Sequence, residues 1–170
     1  MRAPTRAFEA APWMAITMAA CVAASVLFAI PLKVFGLQAP EPVFGLVPAF
    51  VWASARPSIV APLALLLLGL FQDLLWGTFF GFWPLCLLAG YMFVYLIRRF
   101  LSGQEFVVRW AWFGAGCAVA FIVAEGASIL VDGTAPSLLG VAAQWLVSAA
   151  LYPLANGLTE RYDNASARFR

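Results

Sequence analysis

Long apolar stretches separated by short polar breaks follow one another along the chain. Five of them have about 16 to 26 residues, close to the length at which a helix rising about 1.5 Å per residue crosses a hydrocarbon core of about 30 Å. The pattern therefore predicts six membrane-spanning helices, one of them short. The stretches are Pro12 to Lys33, Val43 to Ala55, Ser58 to Trp76, Phe82 to Ile97, Phe106 to Val131 and Ser137 to Leu158.

The second stretch, Val43 to Ala55, is short for a span and contains Pro48. Its length alone would also suit a re-entrant or interfacial piece. The placement of basic residues decides between the two, because cytoplasmic loops of membrane proteins are enriched in Lys and Arg. If the second stretch did not cross, every later basic residue would move to the outside together with Lys33.

With six spans and a cytoplasmic N-terminus, Lys33 is the one basic residue on the outer side. Such a distribution is a strong positive-inside pattern, and it predicts that both the N- and C-termini are cytoplasmic. The nine basic residues on the cytoplasmic side are then Arg2, Arg6, Arg56, Arg98, Arg99, Arg109, Arg161, Arg168 and Arg170.

The first stretch also follows two arginines, as a secretory signal does. Its apolar run is longer than the usual signal core of about 7 to 15 residues, and no convincing cleavage site precedes Lys33, so we expect it to remain as a membrane helix. No segment outside the spans exceeds about a dozen residues. We therefore expect residues 1–170 to form a single integral membrane domain.

Composition agrees, since 64% of the residues are hydrophobic and 11% charged, with a mean hydropathy of +0.92. The chain has no His, which excludes Ser-His-Asp and Cys-His catalysis and His-ligated metals. Cys21, Cys86 and Cys117 lie in different spans without metal-ligand or redox spacing, so packing is their simplest role. No glycine-rich phosphate loop followed by Lys occurs, which excludes an ATPase or kinase. We predict no enzyme activity, cofactor or metal.

Polar residues within the spans are few, and their spacing places several on common helix faces. Gly69, Asp73, Gly77 and Gly81 recur every four residues and would form one stripe of small or polar residues if helical geometry persisted. The same spacing predicts interior faces on the fifth and sixth helices. These faces consist of Gly114, Ala118, Glu125 and Ser128, and of Gln144, Ser148 and Tyr152.

Asp73 is the most informative of these residues, because a carboxylate at membrane depth costs about 2.5 to 3.5 kcal/mol on insertion scales. It lies just before the "WGTFFG" turn, so it can accept hydrogen bonds from amides freed there, with Gly77 and Gly81 permitting a tight hairpin. Two other interpretations stay open. One is a site for a proton, ion or substrate with Glu125 as a second carboxylate, and the other is a direct role in a protein interface.

Residues 55 to 100 resemble the central region of MreD, the rod shape-determining membrane protein family of bacteria. Members have Arg-Pro before the third helix, then Gly-Leu-x-x-Asp-Leu-Leu-x-Gly with a second Gly shortly after, then a helix ending in basic residues. The match covers about a quarter of the chain. It departs from the family pattern in the aromatic-rich "WGTFFGFW", where more small and aliphatic residues would be expected after the first glycine. The matching positions are Arg56 and Pro57, then Gly69, Leu70, Asp73, Leu74, Leu75, Gly77 and Gly81, and then Arg98 and Arg99.

The resemblance implies a scaffold of the bacterial inner membrane that helps maintain cell shape. Its expected partner is MreC, and indirectly the actin-like MreB, the RodA glycosyltransferase and a class B penicillin-binding transpeptidase. Membrane lipid is expected around it, nucleic acid is not, and a homo-oligomer is left open. The family fold is thought to be similar to the substrate-binding subunit of energy-coupling-factor vitamin transporters.

That similarity supplies the alternative function, a subunit for small-molecule uptake. Ala15, Ala19 and Ala23 form a small-residue stripe on the first helix, of the kind with which such subunits dock on their coupling partner. Ordinary helix packing explains the same stripe. A third alternative is an intramembrane hydrolase that uses Asp73 and Glu125.

Overall fold

The computed structural model describes residues 5–28, 33–34, 37–38, 41–55, 58–133 and 137–158. Apart from one pair of two-residue strands, β1 (Lys33–Val34) and β2 (Leu37–Gln38), which pair antiparallel, the regular structure in these ranges is helical. The helices are α1 (Thr5–Phe28), α2 (Leu46–Ala55), α3 (Val60–Trp76), α4 (Phe82–Leu101), α5 (Phe106–Asp132) and α6 (Leu138–Ala149).

By length and apolar composition, three helical stretches within these ranges can cross a membrane: Phe82–Leu101, Phe106–Val131 and Leu138–Leu158. Two shorter apolar helices, Trp13–Phe28 and Val60–Trp76, accompany them. Large apolar side chains on the longer helices, such as Leu96 of α4 and Leu130 of α5, are exposed. Such a surface is stable against lipid, so the helices belong to a membrane protein.

The short helix α2 lies at the centre of the bundle. The chain from Val43 to Ala53 is buried throughout and packs mainly against α4, with α3 and α5 alongside. Its sequence, LVPAFVWASA, has no charged residue and is apolar all round, which is the pattern of a helix surrounded by others. Ten residues span about 15 Å, half of a hydrocarbon core.

Helix α4 packs against α2, α3 and α5, and small residues bring it close to α5. A Cβ on Gly90 would lie 3.5 Å from the carbonyl oxygen of Gly116 and 3.6 Å from the Cβ of Ala120. Helices in lipid associate through such close backbone approach, since burying apolar surface gains little there. The crossing at Gly90 therefore fixes how α4 and α5 lie against each other.

Helix α6 is joined to α5 by two tryptophan side chains. The indole N–H of Trp145 donates to the carbonyl of Gly114, and that of Trp110 donates to the carbonyl of Ala149, both at 2.9 Å. Helical structure pauses at residues 150–151 and resumes over 152–158. Pro153 has no N–H to give to Ala149 four residues before it, so Trp110 supplies the missing donor.

The helix bounds differ from the apolar stretches mainly at the ends. The first stretch was expected to continue to Lys33, but α1 ends at Phe28 and Lys33 belongs to β1. Helix α4 continues past Ile97 to Leu101 because Arg98 and Arg99 are good helix formers that favour a C-terminal turn. Apolar content therefore predicted where the helices lie but not the residues at which they end.

Candidate functional site

The turn between α3 and α4 contains most of the residues that the sequence singled out. Helix α3 ends at Trp76, and Gly77 follows in the left-handed conformation with φ 66° and ψ 28°. The N–H groups of Gly77 and Thr78 both donate to the carbonyl oxygen of Asp73, which closes the last turn of the helix. A left-handed residue at this position is a common helix stop, and glycine adopts it without a Cβ clash.

The carboxylate of Asp73 accepts three hydrogen bonds across this turn. Oδ1 accepts from the hydroxyl of Thr78 at 2.8 Å and from the N–H of Trp83 at 2.9 Å. Oδ2 accepts from the N–H of Gly81 at 2.7 Å. The side chain is buried, with an exposed fraction of 2%. The prediction that Asp73 is held by donors freed at the turn is confirmed.

These bonds satisfy the start of α4, where a helix leaves its first N–H groups without partners. The N–H of Phe82 donates to the carbonyl of Phe79, and Pro84 has no N–H. The N–H groups of Gly81 and Trp83 donate to Asp73. A negative charge at a helix N-terminus is also stabilised by the helix dipole. Asp73, which belongs to α3, thus supplies the hydrogen-bond acceptors for the start of α4.

One turn before Asp73, Gly69 brings the two helices into backbone contact. A Cβ on Gly69 would lie 2.4 Å from the backbone nitrogen of Pro84 and 2.6 Å from its Cα. No side chain fits there without moving α4. The predicted stripe therefore exists for Gly69 and Asp73 only, because α3 ends before Gly77 and Gly81, which instead adopt positive φ in the turn.

Aromatic rings cover the hairpin. The rings of Trp76 and Trp83 are 4.7 Å apart, and that of Phe82 lies 5.3 Å from Trp83. Phe80, at the tip, has an exposed fraction of 72%. Tryptophan and phenylalanine at the end of apolar helices are typical of the membrane–water interface. The departure "WGTFFGFW" therefore supplies the aromatic rings that pack together at the hairpin.

Gln72, beside Asp73, is completely buried, and neither atom of its amide has a hydrogen-bond partner among the described residues. A Cβ on Gly45 would lie 3.1 Å from both amide atoms, so the glycine leaves room for this side chain. The sequence pointed to Gln72 only as one of the few polar residues in the spans. Its contact with Gly45 joins residues far apart in the chain, which spacing does not reveal.

The other predicted residues are not part of this cluster. Arg56 and Pro57 lie outside the described residues. Glu125 is on α5, and α4 separates it from α3. Glu125 and Asp73 therefore do not form the pair of carboxylates that one interpretation proposed. Glu125 and Ser128 are half-buried rather than interior, because the buried face of α5 is formed by Phe113, Cys117, Ala120, Phe121 and Ala124.

The predicted face of α6 does lie inside the bundle and holds the loop before α2. Ser148 is buried and its hydroxyl accepts from the N–H of Val43 at 3.1 Å. Gln144 donates through Nε2 to the carbonyl of Glu41 at 3.2 Å. Tyr152, which follows the break in the helix at residues 150–151, is also buried. These polar side chains fix the entry into α2, a role that helical spacing alone did not indicate.

The charged side chain of the hairpin is held by hydrogen bonds within the chain. Both oxygens of Asp73 are engaged, and all three cysteines are free and buried. Within the described ranges no group of three or more His, Cys, Asp or Glu residues could hold a metal ion. Comparison with protein-family models, curated proteins and solved structures finds no match to this chain.

Proposed function

We propose that this protein is an MreD-like scaffold of the bacterial cell-elongation complex, which helps to maintain rod shape. It would hold MreC, and through it MreB, RodA and a class B penicillin-binding transpeptidase, at the inner membrane. The proposal rests on the Gly-Leu-x-x-Asp-Leu-Leu-x-Gly motif of residues 69 to 77, preceded by Arg56-Pro57 and followed by Gly81.

One observation supports this proposal above all. The acid of the motif, Asp73, uses both carboxylate oxygens to join α3 to α4. The glycines of the motif serve the same hairpin, Gly69 by close approach and Gly77 by its positive φ. A motif whose acid and glycines serve to shape the bundle suits a protein that acts by contact, because the Asp73 carboxylate is already engaged in hydrogen bonds within the chain.

The proposal includes six spans with both termini cytoplasmic. Short connections make α3, α4, α5 and α6 alternate in direction, so the α4–α5 connection and the α3–α4 turn lie at opposite ends. Arg98, Arg99 and Arg109 flank the α4–α5 connection, whereas residues 77–81 contain no basic residue. The positive-inside rule favours a cytoplasmic α4–α5 connection. Helix α2, being short, would cross together with the buried chain that precedes it.

Depletion of the protein in its native bacterium tests this function. We expect rods to become spheres or to change width, and tagged protein to co-purify with an MreC-like protein and without a bound vitamin. Depletion of an unrelated six-span protein with the same degradation tag is the control for membrane stress. Unchanged cell shape after complete depletion would refute the scaffold role.

A second candidate, the membrane subunit of an energy-coupling-factor vitamin transporter, is favoured by one observation on α1. Ala15, Ala19 and Ala23 are exposed, whereas Met14 and Cys21 face the bundle. The alanine stripe is therefore open to another helix. Loss of uptake of one micronutrient on depletion, with shape unchanged and an ATPase in the pull-down, would select this function over the scaffold role.

A further inference from the structure

Glu125 carries a carboxylate on an apolar helix that is long enough to cross a membrane. It is half-buried on α5, and it forms no hydrogen bond or ion pair within the part of the chain that the structure describes. In this respect it is the opposite of Asp73, whose two oxygens are fully engaged. Ionisable residues inside a membrane almost always face the protein interior or a wet cavity and pair with another group, and the described residues offer Glu125 no such group.

The depth of Glu125 follows from the basic residue on the same helix. Arg109 belongs at one membrane boundary, and sixteen residues at about 1.5 Å each place Glu125 about 24 Å from it. In a core of about 30 Å, Glu125 then lies about 6 Å inside the opposite boundary. Ile129, four residues or about 6 Å beyond Glu125, then lies at that boundary, and the exposed Leu130 and Val131 lie just past it.

Geometry also prevents the carboxylate from reaching the nearer membrane surface easily. The Cα–Cβ bonds of a helix tilt towards its N-terminus, which for α5 is the Arg109 end. The side chain of Glu125 is therefore directed towards the middle of the membrane. A side chain tilted in this direction reaches headgroup level less easily than one tilted towards the nearer surface.

The surface next to Glu125 permits another helix to approach closely. Gly126 is exposed, and a Cβ on it would meet no atom within 4 Å. Ile122, one turn earlier, is also exposed. A glycine among apolar residues with a polar group beside it is the composition of helix–helix interfaces in lipid. We call the surface formed by Ile122, Glu125, Gly126 and Ile129 the Glu125 face.

We propose that the Glu125 face binds a transmembrane helix of another protein that carries a Lys or Arg at the same depth. Charge complementarity identifies this occupant, since the carboxylate needs a cation. A second copy of this chain offers no such helix among its described residues, because Arg98, Arg99 and Arg109 lie at the opposite end and Lys33 belongs to β1 rather than to a helix. The inference deepens the proposed scaffold role by naming the chemistry of a partner.

A photo-reactive amino acid at Ile122 of the full-length protein, in native membranes, tests the proposal. The control position is Leu96, which is equally exposed on α4. We expect cross-linking from position 122, and not from 96, to an apolar peptide of a different protein that contains Lys or Arg. Glu125→Leu should lower the yield about tenfold, which corresponds to about 1.4 kcal/mol. Glu125→Lys combined with an acidic residue at the partner's basic position should restore it.

Three results would overturn the proposal: cross-links only to lipid, cross-links only to a second copy, or an unchanged yield in Glu125→Leu. A second measurement separates a partner contact from a role within the chain. Purified Glu125→Leu should unfold at the same temperature as the parent protein or higher, and a lower temperature would contradict us. Normal cell shape after depletion would refute the scaffold role but leave a cross-link to a basic helix standing.

Discussion

Gly69 of α3 and Pro84 of α4 are in direct backbone contact, since a Cβ on Gly69 would lie 2.4 Å from the nitrogen of Pro84. Gly69→Ala should therefore separate the two helices and destabilise the protein by about 1 to 3 kcal/mol, as overpacking against rigid atoms does. Gly157→Ala is the matched control, because a Cβ there meets nothing within 4 Å. Thermal unfolding of the purified proteins in detergent measures the difference. Equal midpoints for the two variants would show that the close approach contributes nothing to stability.

Backbone conformation, and not the space available, should decide which residues can replace Gly77. Its φ is 66°, and a Cβ on it would meet no atom within 4 Å, so the cost of a side chain is backbone strain alone. We expect Gly77→Val to be poorly accumulated, because a β-branched residue resists positive φ. Gly77→Asn should retain most of the stability, since Asn visits this conformation more readily. Immunoblots of membranes compare the two, and equal abundance of both variants would contradict this account of the turn.

The hydrogen bond from Trp110 should contribute to stability, because Pro153 has no N–H to donate to the carbonyl of Ala149. Trp110→Phe removes the donor to that carbonyl and should cost about 0.5 to 1.5 kcal/mol, the net contribution of a typical hydrogen bond. Pro153→Ala restores an N–H at the position that can take over. The cost of Trp110→Phe should therefore be smaller in the Pro153→Ala background. A double-mutant cycle on unfolding free energies measures this coupling, and strictly additive effects would rule it out.

Topology gives a prediction for the whole chain. Reporter fusions after residues 40 and 134 should read periplasmic, and fusions after residues 56, 102 and 170 cytoplasmic. The reason is the accumulation of nine basic residues on one side in this arrangement. Alkaline phosphatase and green fluorescent protein fusions give opposite signals and control for expression. A cytoplasmic signal at residue 134 would refute the six-span model.

The α3–α4 hairpin could be predicted from sequence because its determinants are local. Asp73, the two turn glycines and the start of α4 at Phe82 lie within ten residues, so helix-end chemistry alone indicated the hydrogen bonds of the carboxylate. Contacts such as Ser148 with Val43 could not be predicted, since they join distant residues. Helical spacing placed Glu125 on the same face of α5 as Gly114 and predicted that this face is interior. Gly114 is buried, but Glu125, eleven residues later, is only half-buried.

We expect Asp73 to stabilise the α3–α4 hairpin through its hydrogen bonds and to take part in no reaction. Asp73→Asn keeps a carbonyl that accepts part of the bonding from Thr78, Gly81 and Trp83, whereas Asp73→Leu strands all three donors at about 1 to 3 kcal/mol each. Restoration of rod shape per unit of membrane protein, in cells depleted of the parent protein, is the most direct measurement. We predict that Asp73→Asn accumulates and partly restores shape, and that Asp73→Leu accumulates poorly. Full abundance of Asp73→Asn with no restoration of shape would contradict the claim.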